Sequence, residues 1–260
     1  MRILCVFLCI LILGCSKNDA TSYLKAKSVA LAQPRISVSN TLIDSSVTIS
    51  AELRMKGVRI FYTNDGSEPT RESLVYEQPF PVKESGVYKF KAYHFDWKPS
   101  AVSSVKLYEK GSIPDKLDWK TNASTSYPDE DLMSLVNHKK GTRNFRDIEW
   151  VGFDTIAKTN VSFEKKTYIN SLTIGYLIDT KSWIFPPKEV IIYLNKKDTL
   201  RITTKGLSKG DLVKIDDVRI PIQKEVTSMT ILINNSKLPE WHPGKGNNAW
   251  LFMDEWIFNE

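Results

Sequence analysis

The sequence predicts an all-β protein made of two tandem β-sandwiches, and three observations carry that expectation. Apolar residues recur with a period of two along most of the chain, the spacing that puts alternate side chains on one face of a strand. Gly, Pro, Asn and Asp punctuate the alternation at "TNDGSEP", "EQPFPVKESG" and "DWKPS". No window shows the 3.6-residue period of an amphipathic helix. The composition, 42% hydrophobic and 25% charged over 260 residues, is that of a folded chain with room for two ordinary domains.

The N-terminus, "MRILCVFLCILILGCSKND", carries one basic residue and then an eleven-residue apolar run from Ile3 to Leu13. That run is too short to cross a bilayer and reads as the apolar region of an export signal spanning 1–14. "LILGC" resembles the bacterial lipobox. The resemblance implies cleavage before Cys15, acylation of that cysteine and anchoring of the protein in a membrane through the lipid. All three cysteines, Cys5, Cys9 and Cys15, lie in this segment, so no disulfide is expected in the domains that follow. Residues 15–34 are polar and aperiodic and read as a tether. The opening "CSKND" resembles the export tags of Bacteroidetes surface lipoproteins, which implies an outer-membrane location and display at the surface.

From residue 35 to 110 the alternation is continuous: Ile36 and Val38, then Val47, Ile49, Ala51 and Leu53, then Ile60 and Tyr62, then Tyr88, Phe90 and Ala92, and last Val105 and Leu107. Asp65 and Gly66 supply a turn and Pro69 fixes its exit. His94 falls on the apolar side of its strand and reads as a core or rim histidine. "VRIFYTNDGSEPTRESLVYEQPFPV" and "GVYKFKAYHFDWKPSAV" resemble the fibronectin-type-III-like module at the C-termini of chitobiases and β-hexosaminidases, carried by Tyr62, Asp65, Gly66, Pro69, Tyr76 and Pro79.

The stretch "YEKGSIPDKLDWK", residues 108–120, mixes Gly, Pro and charge and marks the domain boundary. Beyond it, residues 118–260 again read as strands, in "DIEWVGF", "NVSFE", "YINSLTIGYLID", "EVIIYLN", "VRIPIQ", "MTILIN" and "AWLFMDEWIF", an arrangement that predicts a jelly-roll sandwich of about eight strands. "LVNHKKGT", "EWVGFD", "SWIFPPKEVIIYLN" and "LPEWHPGKGNNAWLFMDE" resemble the discoidin-like domain, also called the factor V/VIII type C domain, in the version appended to Bacteroidetes β-hexosaminidases.

Function turns on the last of these stretches. Asp254 and Glu255 are adjacent in a predicted strand, so alternation would aim them at opposite faces and keep them from acting as an acid/base pair. The hexosaminidases that the chain resembles carry their catalytic carboxylates on a separate barrel, and two sandwiches leave no space for one. There is no nucleophile elbow, and His94, His138 and His242 stand apart, with neither a second histidine at ligand spacing nor a cysteine partner. The chain is therefore expected not to be an enzyme. The resemblance implies a structural calcium held by Asn137, Thr142 and Glu255, although Asn137 stands where an aspartate is usual and Lys139 and Lys140 bring positive charge beside it.

In "EWHPGKGN", Trp241 and His242 lie between prolines and ahead of two glycines, which is loop chemistry. A tryptophan on such a loop offers a flat apolar face to a pyranose ring, and nearby polar groups can bond its hydroxyls. The sugar-binding expectation therefore names Trp241, His242 and Asn247, with Trp183 of "KSWIFPP" as a second platform. End-of-core packing remains the alternative for both tryptophans; Trp150, Trp250 and Trp256 sit in apolar strands and read as core. The formal charge of +6 and pI near 9.0 are spread thinly, with no basic cluster interleaved with aromatics, so nucleic acid is not an expected partner. The expected partners are a hexosamine-containing or acidic glycan, the membrane through the lipid anchor, and an envelope protein. A structural or protein-interaction lipoprotein, or a non-catalytic companion of a glycoside hydrolase, is the competing reading.

Overall fold

The computed structural model describes residues 27–195 and 198–260. The signal segment, Cys15 and the tether up to residue 26 lie outside them. The architecture is all-β; among the described residues the only helical pieces are two 3₁₀ turns, Ser134–Val136 and Thr180–Ser182.

The first sandwich packs two sheets. One has the order β1 (Arg35–Val38), β3 (Val47–Glu52), β6 (Phe80–Val82); the other has the order β2 (Leu42–Ile43), β8 (Ser103–Glu109), β7 (Gly86–Tyr93), β4 (Arg59–Thr63), β5 (Leu74–Tyr76). All pairings are antiparallel except β2 with β8. The sequence alternation becomes burial directly: Val47, Ile49 and Ala51 of β3 and Tyr88, Phe90 and Ala92 of β7 point inward and form one core with Leu31, Ile60 and Leu107. Tyr62 stacks between Phe80 and Phe90, at 4.9 and 5.6 Å. Gly66 has φ +79°, and the Asp65 carboxylate accepts from the Ser67 N–H at 2.9 Å, which makes the turn that two residues predicted. His94 is buried, with Nδ1 accepting from the Asp96 N–H and its ring stacked on Phe95. One expectation changes here. The end of the predicted tether is docked: Leu31 enters the core, and residues 29 and 31 bond to Lys98 in an isolated parallel bridge, because an apolar side chain at that position gains by burial.

The second sandwich is one continuous seven-stranded sheet folded over on itself, made of β9 (Lys116–Trp119), β10 (Val151–Phe153), β11 (Ala157–Asp179), β12 (Pro187–Leu194), β13 (Asp198–Thr203), β14 (Val213–Asn235) and β15 (Leu251–Asn259). β11 and β14 have 23 residues each, and the segments expected as separate strands are the halves of these two. The first half of β11 pairs with β9 and with the second half of β14, which continues to β12 and β13. The second half of β11 pairs with the first half of β14 and with β15, which continues to β10. Both long strands therefore belong to both layers and bend where their register slips, between Ser162 and Thr167.

Burial follows this course. Along 157–163 only alternate residues of β11 are buried, whereas 171–179 are buried throughout, because the outer face of the second layer is itself covered. The cover is an apolar group of Trp150, Leu177, Ile184 and Phe252 with Tyr127 and Trp250 against it. Strand β13 was not foreseen: its apolar Leu200 and Ile202 are half-buried at an edge and its other residues are polar, which leaves a weak alternation.

Candidate functional site

Three loops meet at one end of the second sandwich, and Thr180 joins them. Its hydroxyl accepts from the Leu212 N–H at 3.0 Å and lies 3.3 Å from the Gly210 carbonyl. Its own carbonyl accepts from His242 Nε2 at 3.0 Å. The Asp179 carboxylate caps the short turn by accepting from the Ser182 N–H and hydroxyl. The turn then closes through paired backbone bonds between Asp179 and Ile184, with Trp183 at its tip.

Trp183 has φ +66°, the left-handed region, which costs a bulky residue about 1 kcal/mol or more. It nevertheless remains 41% exposed, so burial does not explain its retention there. Its ring meets His242 edge-on at 5.3 Å and lies over Gly244, where a methyl group would come within 2.7 Å of the indole. Gly244 is the residue that lets the ring lie down. Trp241, half-buried, rests on Phe185 at 6.0 Å and on the small cluster of Phe185, Leu238 and Ala249. Trp183 and Trp241 line one cleft of about 370 Å³, with Lys181, Lys209 and Asp211 at its polar edge. Lys181 and Asp211 form an exposed ion pair at 3.1 Å, worth little to stability.

Of the four residues expected to bind sugar, the cleft brings together Trp183, Trp241 and His242, and Asn247 does not line it. His242 is only 6% exposed, and both ring nitrogens are engaged: Nδ1 accepts from the Gly244 N–H at 3.2 Å, which leaves Nε2 as the donor to Thr180. The ring thus has no free nitrogen for a hydroxyl. It holds the two tryptophan loops together, a correction to the expected contact. Lys181, Lys209 and Asp211 escaped the sequence reading. Lys181 stood two residues before Trp183 in "KSWIFPP" without being singled out; the signal for Lys209 and Asp211 was the Gly- and Lys-rich run "KGLSKGD", whose nearness to Trp183 is a long-range matter.

The residues expected to hold calcium do not fit one. The Asn137 amide donates to Glu149 and its carbonyl oxygen accepts from the Lys139 N–H. Thr142 accepts from Trp150 Nε1 through its carbonyl, and its N–H donates to Asp147. Glu255 accepts from the His138 N–H at 3.1 Å. Among the described residues no three His, Cys, Asp or Glu side chains gather as a metal site.

The alternation argument also fails locally. On β15, Asp254 and Glu255 both oppose Gly175, since Ile174 pairs with Trp256 and Tyr176 with Met253. This is a bulge, and at a bulge neighbouring side chains need not diverge. Both carboxyls are buried, at 0% and 1% exposure, which removes them from any substrate. Burial pushes Asp254 up, opposed by the Lys140 ammonium. Burial likewise pushes Glu255 up to about 8, with Lys140 opposing and the Asp254 charge adding to the rise. One ammonium faces two buried carboxyls, and its hydrogen bond goes to Asp254.

A pH dependence follows. The folded state holds the Glu255 proton up to about pH 8, whereas an unfolded glutamate releases it near 4.5, so folding stability contributed here is present at acid pH and falls as pH rises across that interval. Urea midpoints measured between those limits should decline with pH in the wild type and decline less in Glu255→Gln.

The chitobiase/β-hexosaminidase C-terminal domain family matches residues 38–104, the body of the first sandwich. No curated protein matches the chain. Among solved structures the chain is similar to CpGH89CBM32-4, produced by Clostridium perfringens and seen in complex with GlcNAc-α-1,4-galactose, at 13% identity over 56% of this chain and 88% of that one, TM-score 0.32. It is similar to a GH31 CBM32-2 bound to GalNAc at 13% identity over 56% and 96%, TM-score 0.36. A SusE-like protein matches at 12% identity over 86% and 97%, TM-score 0.30.

Proposed function

We propose that this protein is a non-catalytic, lipid-anchored envelope protein that binds glycan in the Trp183–Trp241 cleft. The observation that carries the reading is Trp183 itself: a large aromatic kept 41% exposed in a strained backbone state, beside a second tryptophan and polar side chains, is better placed to meet a ligand than to hold the fold. Two indoles supply apolar faces for the CH side of a pyranose. Lys181, Lys209 and Asp211 supply the hydrogen bonds, and Lys209 makes no ion pair among the described residues, which favours an acidic glycan. The match of the first sandwich to a domain of chitin-processing enzymes agrees with a setting in glycan breakdown. The export signal and Cys15 support the anchored, envelope part of the reading.

The test is an array of hexosamine-containing and acidic glycans probed with the protein truncated just after Cys15, beside Trp241→Ala. Binding that falls at least tenfold, about 1.4 kcal/mol, in a folded Trp241→Ala protein is the expected outcome. Silence of the whole array would end the glycan reading and leave the two tryptophans as anchors for a protein partner.

A further inference from the structure

We propose that the ammonium of Lys140 is a permanent internal cation, which closes the 137–142 loop onto the last strand and onto the first sandwich and so stands where a structural divalent ion would otherwise be needed. The proposal is independent of what the tryptophan cleft binds.

Its first support is the direction of the hydrogen bonds. A calcium site gathers oxygen lone pairs at 2.3–2.6 Å. Here N–H groups converge on the carboxyls instead. Asp254 Oδ1 accepts from Lys140 Nζ at 2.8 Å and from the Glu255 N–H at 2.6 Å, and Oδ2 accepts from the Gly141 N–H at 3.1 Å. Glu255 accepts from the His138 N–H. A metal ion on Asp254 would meet the ammonium head-on, and Lys140 has little room to withdraw, since its side chain is only 7% exposed.

The second support is the space made for it. Gly175 lies opposite the bulge, and a methyl group there would overlap both Lys140 Nζ and Asp254 Oδ1. The bare backbone at this point is the floor on which the ion pair rests. The third support comes from the other sandwich. The Tyr108 ring presents its face to Nζ at 5.2 Å, within cation–π range. The Tyr108 hydroxyl donates to Asp217 at 2.7 Å, and Lys106 bonds the same carboxylate at 2.6 Å. An unbroken set of charges and donors thus runs from β8 through Tyr108 to the middle of β15.

Thermal unfolding of the full soluble chain tests this. The wild type should show the same midpoint in chelator and in millimolar calcium. Lys140→Met keeps the aliphatic stem but orphans Asp254 in the interior, and should lower the midpoint by roughly 10 °C. The neutral pair Lys140→Met/Asp254→Asn should lie above Lys140→Met alone, because no buried charge is then left unpaired. Tyr108→Leu should cost more in the wild type than in Lys140→Met. A calcium-dependent rise in the wild-type midpoint would overturn the proposal. So would a Lys140→Met loss no larger than that of the exposed neighbour in Lys139→Met, or a double variant no better than Lys140→Met alone. Equal costs of Tyr108→Leu in both backgrounds would overturn its reach to the first sandwich.

Discussion

Gly175→Ala should lower the thermal midpoint by more than about 10 °C. Gly175 lies within the last part of β11, where sheet geometry gives glycine no conformational advantage, so its value lies in what the missing side chain permits. An added Cβ would overlap both members of the Lys140–Asp254 pair. Asp254 cannot swing away, because the Gly141 and Glu255 N–H groups fix it and it has no exposed side. Lys140 can leave only by abandoning a buried carboxylate, a change of about 3–5 kcal/mol. Circular dichroism melts of wild type and Gly175→Ala check this; a shift below a few degrees would mean that the loop yields more readily than its bonding indicates.

Trp183→Gly should do the reverse, leaving stability nearly unchanged and removing ligand affinity. Its wild-type backbone is left-handed, so glycine relieves about 1 kcal/mol of strain and offsets most of the packing lost from a ring that is 41% exposed. The apolar wall of the cleft loses half its aromatic surface at the same time, and affinity for whatever glycan the array identifies should fall at least tenfold. Calorimetric binding together with a melt gives both quantities. A large loss of stability with intact binding would make Trp183 a structural end-plug, as its partial burial against His242 and Gly244 would then indicate.

The two predictions mark where the sequence could be read and where it could not. Alternation in "VTISAE" or "GVYKFKAY" becomes inward and outward faces without change, because a strand carries its own periodicity. Trp183 and Trp241 could be singled out because prolines and glycines beside them announce loops. What failed was information held between distant residues. The bulge opposite Gly175 breaks the alternation on which the expected divergence of Asp254 and Glu255 rested, and nothing in "MDEW" by itself signals it. His242 looked free because its partner carbonyl lies 62 residues away, at Thr180. Lys140 was visible only as an awkward charge near a supposed cation site, and its position shows that it is the cation.

The two long strands carry a final consequence. Since β11 and β14 each run through both layers of the second sandwich, there is no seam along which one layer can open while the other stays formed. Prying the layers apart must bend both long strands at the register slip between Ser162 and Thr167, and neither layer can be released without the strands it shares with the other. A module built this way should come apart in one step, with amide protons on both sheets exchanging at a common slow rate. For the anchored glycan binder proposed above, pulled through what it holds, such a join resists force better than two sheets merely laid face to face.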